Sequence, residues 1–352
     1  MRTHRIALIP GDGIGREVIP AAVNVLDAVA GRTGFALDYT EFDYSCERWT
    51  RTGRMMPDDG LERLGAFDSI FLGAVGHPDV PDHVSLWGLL IPIRRTFAQY
   101  VNLRPVRLLG GLTSPLRGIG PDDIDFCVVR ENNEGEYSEI GGRLYEGTGQ
   151  EMAVQETIFT RRGVDRVMRY AFELARTRRG HVTSATKSNG IIHTMPYWDE
   201  RFAAMAADFP DVQTDQFHID ILTAHFVQRP GHFDVVVASN LFGDILSDLG
   251  PAVVGGMGVA AGGNINPERT HPSMFEPVHG SAPDIAGQGV ANPIAAMWTA
   301  SMMLDHLEER DAAAAIMTAV EAVTADGSSL TRDLGGDATT DELTDAVLAS
   351  LP

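Results

Sequence analysis

Asp244 and Asp248 stand four residues apart in a run, Leu241 to Val254, whose apolar spacing predicts a helix, so the two carboxylates share one face. Like charges so placed cost about 0.2–0.5 kcal/mol unless a cation offsets them. Carboxylate oxygens favour hard ions such as Mg2+ or Mn2+, and Asp220, just after the strand-like Val212 to Phe217, could supply a third ligand. On spacing alone a solvated acidic face is the simpler meaning. Arg94 lies among Leu89, Leu90, Ile91 and Ile93, Arg104 falls near the end of a predicted element, and Arg130 directly follows Phe126-Cys127-Val128-Val129. Arginines beside apolar runs need partners. The guanidinium fork matches a carboxylate with two hydrogen bonds, so three converging on one place would suit a di-acid. Three separate structural ion pairs would satisfy the same spacing.

Lys187, in Ala185-Thr186-Lys187-Ser188-Asn189 after a predicted strand, could be a general base if a neighbouring cation lowers its pKa. Tyr137, ending the polar run from Arg130, could deliver a proton. A surface lysine and a packing tyrosine are the ordinary alternatives. Gly11-Asp12-Gly13-Ile14-Gly15 resembles a dinucleotide fingerprint only superficially, because it lacks the spacing of G-x-G-x-x-G. The turn-rich string Glu276 to Gly287 is more suggestive, with free backbone donors and an acid, Asp284, that could hold ribose hydroxyls; an ordinary surface loop is its alternative. His193, His218 and His225 have no metal-type pairing and read as structural, whereas His279 stays a candidate. No Ser-His-Asp or Cys-His nucleophile signature is visible.

The elements that must position these residues alternate. A strand at Arg5 to Pro10, the glycine turn and a helix from Arg16 to Ala30 are followed by strands at Phe35 to Phe42 and Ser69 to Leu72, with Asp58 capping a short helix through Leu64. From Val101 a second region begins, with strands at Val101 to Leu108, Phe126 to Arg130, His181 to Ala185 and Asp234 to Ala238. Helices are expected at Arg161 to Arg176, Pro196 to Ala207, Ala224 to Gln228 and Leu241 to Val254, and two or three more close the chain, including Pro293 to Leu307 and Ala312 to Val323. Such alternation argues for an α/β sheet. The 352 residues suffice for about two domains. With 28 Lys+Arg against 48 Asp+Glu the net charge is −20, which repels nucleic acid and anionic lipid, and no apolar run approaches a membrane span. Two cysteines are too few for a disulfide framework, and the apolar stretch Ile6 to Pro10 is too short for a signal-peptide core, so a reduced, cytoplasmic setting is expected.

Taken in order, Ile9 to Gly15, Asn102-Leu103-Arg104-Pro105, Val129-Arg130-Glu131-Asn132, Asn240 to Asp248 and Glu276 to Gly287 resemble the β-decarboxylating dehydrogenases, the family of isopropylmalate, isocitrate, tartrate and D-malate dehydrogenases. The resemblance covers nearly the whole chain. It implies an α/β, isopropylmalate dehydrogenase-like open-sheet fold with a non-Rossmann cofactor site and two α/β domains. Residues 1–104 and 255–352 would form the first, and residues 105–254 the second, with an arm near 135–160 that interlocks two subunits. It assigns Arg94, Arg104 and Arg130 to the leaving carboxylate, Asp220, Asp244 and Asp248 to Mg2+ or Mn2+, Lys187 to proton abstraction from the C2 hydroxyl, and Tyr137 to protonation after decarboxylation. Lys187 and Asp220 would reach the site from the neighbouring chain of a homodimer. His279, Gly280, Ser281, Ala282, Asp284, Ile285 and Asn292 would bind the cofactor, with K+ a further candidate cation. NAD is expected because Asp284-Ile285 stands where the family's NADP users carry a Lys-Tyr pair.

The implied reaction is NAD-dependent oxidative decarboxylation of a 2-hydroxy di-acid. Isopropylmalate users carry a glutamate seven residues before the first arginine, and here that position is Trp87. With Leu90, Trp87 is therefore expected to border the group on C3, its indole favouring hydrogen or hydroxyl there and hence D-malate and tartrate. A 3-isopropylmalate dehydrogenase is the alternative. A regulatory subunit is disfavoured because Lys187, Tyr137 and the aspartates are all retained.

Overall fold

The computed structural model describes residues 2–352. The first half of the α/β alternation builds β1 (Thr3–Gly11), α1 (Gly15–Thr33), β2 (Ala36–Glu41), α2 (Cys46–Thr52), α3 (Gly60–Leu64) and β3 (Ser69–Ala74). In α1 the predicted apolar face is the buried one, with Val18, Ile19, Ala22, Val25, Leu26 and Val29 turned inward. A continuous helical stretch follows: α4 (Asp82–Ser85), a π-helical turn at Leu86–Leu90, and α5 (Ile91–Thr96). Then come β4 (Val101–Arg107), β5 (Asp125–Glu131), a two-stranded arm of β6 (Gly141–Leu144) and β7 (Met152–Gln155), α6 (Arg161–Arg176), β8 (His181–Thr186), α7 (Thr194–Asp208), β9 (Gln213–His218), α8 (Ile219–Gln228), β10 (Val235–Ala238) and α9 (Asn240–Val254). Two short strands, β11 (Gly263–Ile265) and β12 (Ser273–Phe275), precede α10 (Ile294–His306), α11 (Arg310–Asp326) and α12 (Thr340–Ser350).

Ten strands form one sheet in the order β2-β1-β3-β12-β11-β4-β5-β10-β8-β9. Both wings are parallel, but β11 pairs antiparallel with β12 and with β4, and β4 antiparallel with β5. Three reversals make the wings run in opposite senses. The register sets Phe275 beside Gly263, Gly263 beside Leu103 and Leu103 beside Val129, so the carboxyl ends of β12 and β5 meet on one row. Ligands of open α/β sheets bind outside carboxyl ends, and here two sets converge at mid-molecule.

Alternation along β1 sends Ile6 and Leu8 into a core shared by both wings, and Ala7 and Ile9 into a smaller core beneath α2, α3 and α5. The expected boundary at 104 falls inside β4, whereas 254 coincides with the end of α9. Strands β11 and β12, with three residues each, were beyond what periodicity could indicate, and α8 begins at Ile219, five residues before the predicted start. No helix is long and apolar enough to cross a membrane among the described residues.

Candidate active site

At the row where the carboxyl ends meet, a cavity of about 210 Å3 is lined by Arg94, Arg104, Arg130, Tyr137, Asp244 and Glu276, with Leu86 and Leu90 as its apolar wall. Each arginine is buried, and each arrives on a different element: Arg94 on α5, Arg104 on β4 and Arg130 near the end of β5. Arg94 donates to Glu276 Oε1 (2.8 Å), which also accepts from Asn264 Nδ2 (2.7 Å). Arg104 Nε donates to Asn102 Oδ1 (2.7 Å), and Asn102 in turn donates to Asn264. Arg94 Nε and Arg104 Nη1 nonetheless remain buried without a partner. An unmet guanidinium N–H costs free energy unless a ligand acceptor meets it, so the cavity suits a carboxylate. Burial lowers the Arg104 pKa to about 10, which still leaves it charged at neutral pH. Burial would raise Glu276, but Arg94 and Arg104 outweigh it and hold the carboxyl below its usual range.

The opposite wall is assembled from α9 and the loop after β5. Glu136 accepts from Ser239 Oγ (2.8 Å) and from Leu241 N (3.0 Å), and Asn240 donates to the Glu134 carbonyl, which ties that loop to the first turn of α9. Tyr137 is thereby delivered to Asp244, donating to Oδ2 at 2.7 Å, while Arg130 bonds Asp244 Oδ1 and Asn240. Arg130 can lie across α9 only because residue 243 is glycine; a Cβ there would sit 2.6 Å from its side chain. Burial and then the Asp244 bond push the tyrosine up to about 12. Asp244 itself is lowered, since Arg130 overcomes the burial that would raise it, whereas burial and the charge of Asp244 raise Asp248. Asp244 is compensated by Arg130, but Asp248 is not, and a divalent cation would offset the repulsion between the two acids on one helix face.

Lys187 and Asp220 are paired with each other at 2.7 Å, Asp220 largely exposed, and neither lines the cavity. Among the described residues, Asp220 does not form a three-carboxylate cluster with Asp244 and Asp248. Trp87 faces the guanidinium of Arg95 with its indole (5.1 Å) and is not among the residues lining this cavity, whereas Leu86 and Leu90 are. Arg95 continues to the Tyr137 carbonyl and Glu139.

Beside this cavity, and sharing His279 with it, is a second of about 330 Å3 lined by Ile14, Gly258, His279, Ile285, Asn292 and Asp333, with Val290 and Arg332 completing it. The Gly11 to Gly15 loop supports it. Asp12, wholly buried, accepts from the backbone of Cys46, Glu47 and Gly76, and Ile14 N donates to the Ser281 carbonyl. At Gly13, with φ +53°, a Cβ would overlap that carbonyl. Glu17 accepts from Gly287 N and Gly289 N and fixes the far end of the 276–287 string. Asn292 donates to Asp333 (2.9 Å). Burial lowers the His279 pKa, and its Nε2 has no partner. Gly280 lines the first cavity, Ser281 and Ala282 join the supports, and Asp284 is exposed next to Ile285. Glu276, Arg332 and Asp333 were not singled out from sequence. Only Glu276 carried a signal, an acid at the head of a recognised string.

The isocitrate/isopropylmalate dehydrogenase family profile matches residues 5–347. Among curated relatives, D-malate dehydrogenase [decarboxylating] of Escherichia coli (strain K12) is 59% identical over 99% of this chain and 98% of its own. Tartrate dehydrogenase/decarboxylase of Pseudomonas putida is 55% identical over 99% and 98%. Isocitrate dehydrogenase from Methylococcus capsulatus superposes with a TM-score of 0.88 at 35% identity, covering 99% of both chains. With that fold, a buried arginine cluster and an acid-paired tyrosine in place, the chain belongs to the isocitrate/isopropylmalate dehydrogenase family and is a decarboxylating dehydrogenase.

Proposed function

We propose that the enzyme oxidises and decarboxylates D-malate to pyruvate and CO2 with NAD and Mg2+ or Mn2+, and also turns over tartrate. The observation that carries the di-acid is the pair of buried, unpartnered guanidinium atoms, Arg94 Nε and Arg104 Nη1, in a cavity of about 210 Å3. The names of the relatives support D-malate and tartrate. Leu86 and Leu90 form an apolar wall of the cavity, where the group on C3 would lie.

Arg94, Arg104 and Arg130 would bind the carboxylate on C3, the one that departs as CO2, and orient C2 toward the second cavity. Asp244 and Asp248, joined by Asp220 of a second copy, would hold the divalent ion, which when bound supplies Lewis acidity toward the C2 hydroxyl. Lys187 would take the hydroxyl proton as hydride leaves C2. Tyr137, fixed against Asp244, would return a proton to C3 after CO2 departs. For NAD, unpartnered His279 Nε2, Ile285 and Asn292 line a fitting second cavity. Asp284, exposed beside it, would accept from ribose hydroxyls and repel a 2′-phosphate.

A homodimer is part of this proposal. Ile140, Leu144, Tyr145, Met152 and Val154 are exposed on and around the arm, and Ile191, Ile192, Ile221 and Ile245 are exposed near Lys187, Asp220 and α9. Apolar surface of that extent is what a subunit interface covers. Rates with D-malate, L- and meso-tartrate, isopropylmalate and isocitrate, each with NAD and NADP plus Mn2+, test the reading. D-malate with NAD should rank first. A preference of tenfold or more for isopropylmalate, about 1.4 kcal/mol in transition-state binding, would overturn it in favour of a 3-isopropylmalate dehydrogenase.

A further inference from the structure

At the far end of β8 from Lys187, three side chains from three elements meet. His181 opens β8 and Asp215 lies on β9, where Thr183 pairs with Asp215 and His181 with Gln213, so His181 and Asp215 are diagonal neighbours on one face of the ladder. His232, ending the single turn Pro230–His232 before β10, closes over them. Both imidazoles present Nε2 to the same oxygen, Asp215 Oδ2, at 3.3 Å from His181 and 2.6 Å from His232. The three donor atoms all lie within 4.8 Å of one another, and the rings stand edge to face with centroids 5.1 Å apart. Asp215 Oδ1 and the Thr183 hydroxyl are both buried behind the group.

We propose that His181, Asp215 and His232 form a binding site for a late transition ion, Zn2+ foremost, distinct from the oxygen-ligand site of Asp244 and Asp248. Two imidazoles and one carboxylate are the donor set that such ions favour and that Mg2+ does not. Ligands about 2.0–2.1 Å from a tetrahedral ion are separated by about 3.3 Å, the spacing His181 and Asp215 already have. His232 needs only to draw back by a fraction of an ångström, and it sits on an exposed turn that can do so. Thr183, facing Asp215 across the ladder, is placed to orient the carboxylate from behind. Neighbouring cations do not occupy the site: Arg178 bonds Asp234 and Asp125, and Arg179 lies against Asp234 and the Phe233 carbonyl. The ion would clip β8, β9 and the turn into β10 together, with a fourth position left for water. The six residue steps from His181 to Lys187, about 20 Å of extended chain, separate it from the pair proposed to serve catalysis.

Calorimetric titration of tag-free, chelator-stripped protein with ZnCl2 in millimolar MgCl2, which keeps the oxygen-ligand site filled, tests this. One Zn2+ per chain should bind, and His181→Gln and His232→Gln should each weaken it by about tenfold or more while leaving Mg2+-dependent turnover unchanged. Co2+ in place of Zn2+ should give visible bands of a four- or five-coordinate site in the wild-type protein, which keeps the test independent of the variants' folding. No Zn2+ uptake, or equal uptake by wild-type and both variants, would show that the three side chains form only a hydrogen-bonded His-Asp-His bridge.

Discussion

The arginine cavity and the Lys187–Asp220 pair are built on opposite principles. Arg94, Arg104, Arg130 and Glu276 are buried and cross-linked by amides and carboxylates of their own chain, whereas Lys187, half-buried, and Asp220, exposed, share one hydrogen bond at the surface. Three buried guanidiniums against Glu276 and Asp244 leave positive charge that a ligand carboxylate would offset. An exposed ion pair contributes little by itself. The first is therefore complete within one chain as a candidate subsite. The second makes chemical sense only once another surface covers it, and the exposed isoleucines beside it suggest which surface.

The largest effects should come from the charges proposed to touch substrate or metal. Asp244→Asn should lower turnover by about a thousandfold or more through loss of metal affinity, without unfolding the protein, as read by steady-state rates over a Mn2+ series beside circular dichroism. Near-normal rates in chelator would remove the aspartate from the metal site. Tyr137→Phe should cost about a hundredfold, falling on CO2 release and protonation more than on hydride transfer. Product analysis with isotope effects checks this, and equal slowing of both steps would contradict the assigned role.

A smaller effect separates the two side chains that compete to border C3. Leu90→Ala should raise kcat/KM for isopropylmalate relative to D-malate by about tenfold. Trp87→Ala should shift that ratio less, because the indole stacks on Arg95 rather than facing the cavity. A larger shift from Trp87 would restore it to the pocket.

The smallest concerns the opposite side of the sheet, where His306, held by Ser273 Oγ at 3.0 Å, has its pKa lowered to about 4 by burial. Its neutral form is favoured by folding, so its contribution is fully present above the unfolded value near 6.5 and is lost as pH falls toward 4. The slope is at most about 1.4 kcal/mol per pH unit. Urea midpoints at pH 7 and pH 5 should converge in His306→Gln relative to wild type; unchanged divergence would place the pH sensitivity elsewhere.

How legible the molecule was from its sequence follows the same division. Arginines flanked by apolar runs announced burial, and i,i+4 aspartates announced a shared helix face, because both signals are local. The position of Trp87 depends on a local feature too. In a regular helix residues 87, 90 and 94 share a face, but the widened π turn at Leu86–Leu90 moves Leu86 into that line with Leu90 and Arg94. Glu276, Arg332 and Asp333 went unassigned because their meaning depends on partners far along the chain. His181, Asp215 and His232 lie on three elements, so no spacing in the sequence connects them.

The proposal that the buried cavity and Lys187 belong to one site completed by a second chain can be tested by complementation. Lys187→Ala and Asp244→Asn homodimers should each be inactive with D-malate and NAD. Reassorted together, they would form mixed dimers in which one site carries both substitutions and the other carries neither, so activity should return to about one quarter of wild type. No recovery, with mixed dimers verified by mass, would contradict the account, because it would mean that each site draws Lys187 and Asp244 from the same chain.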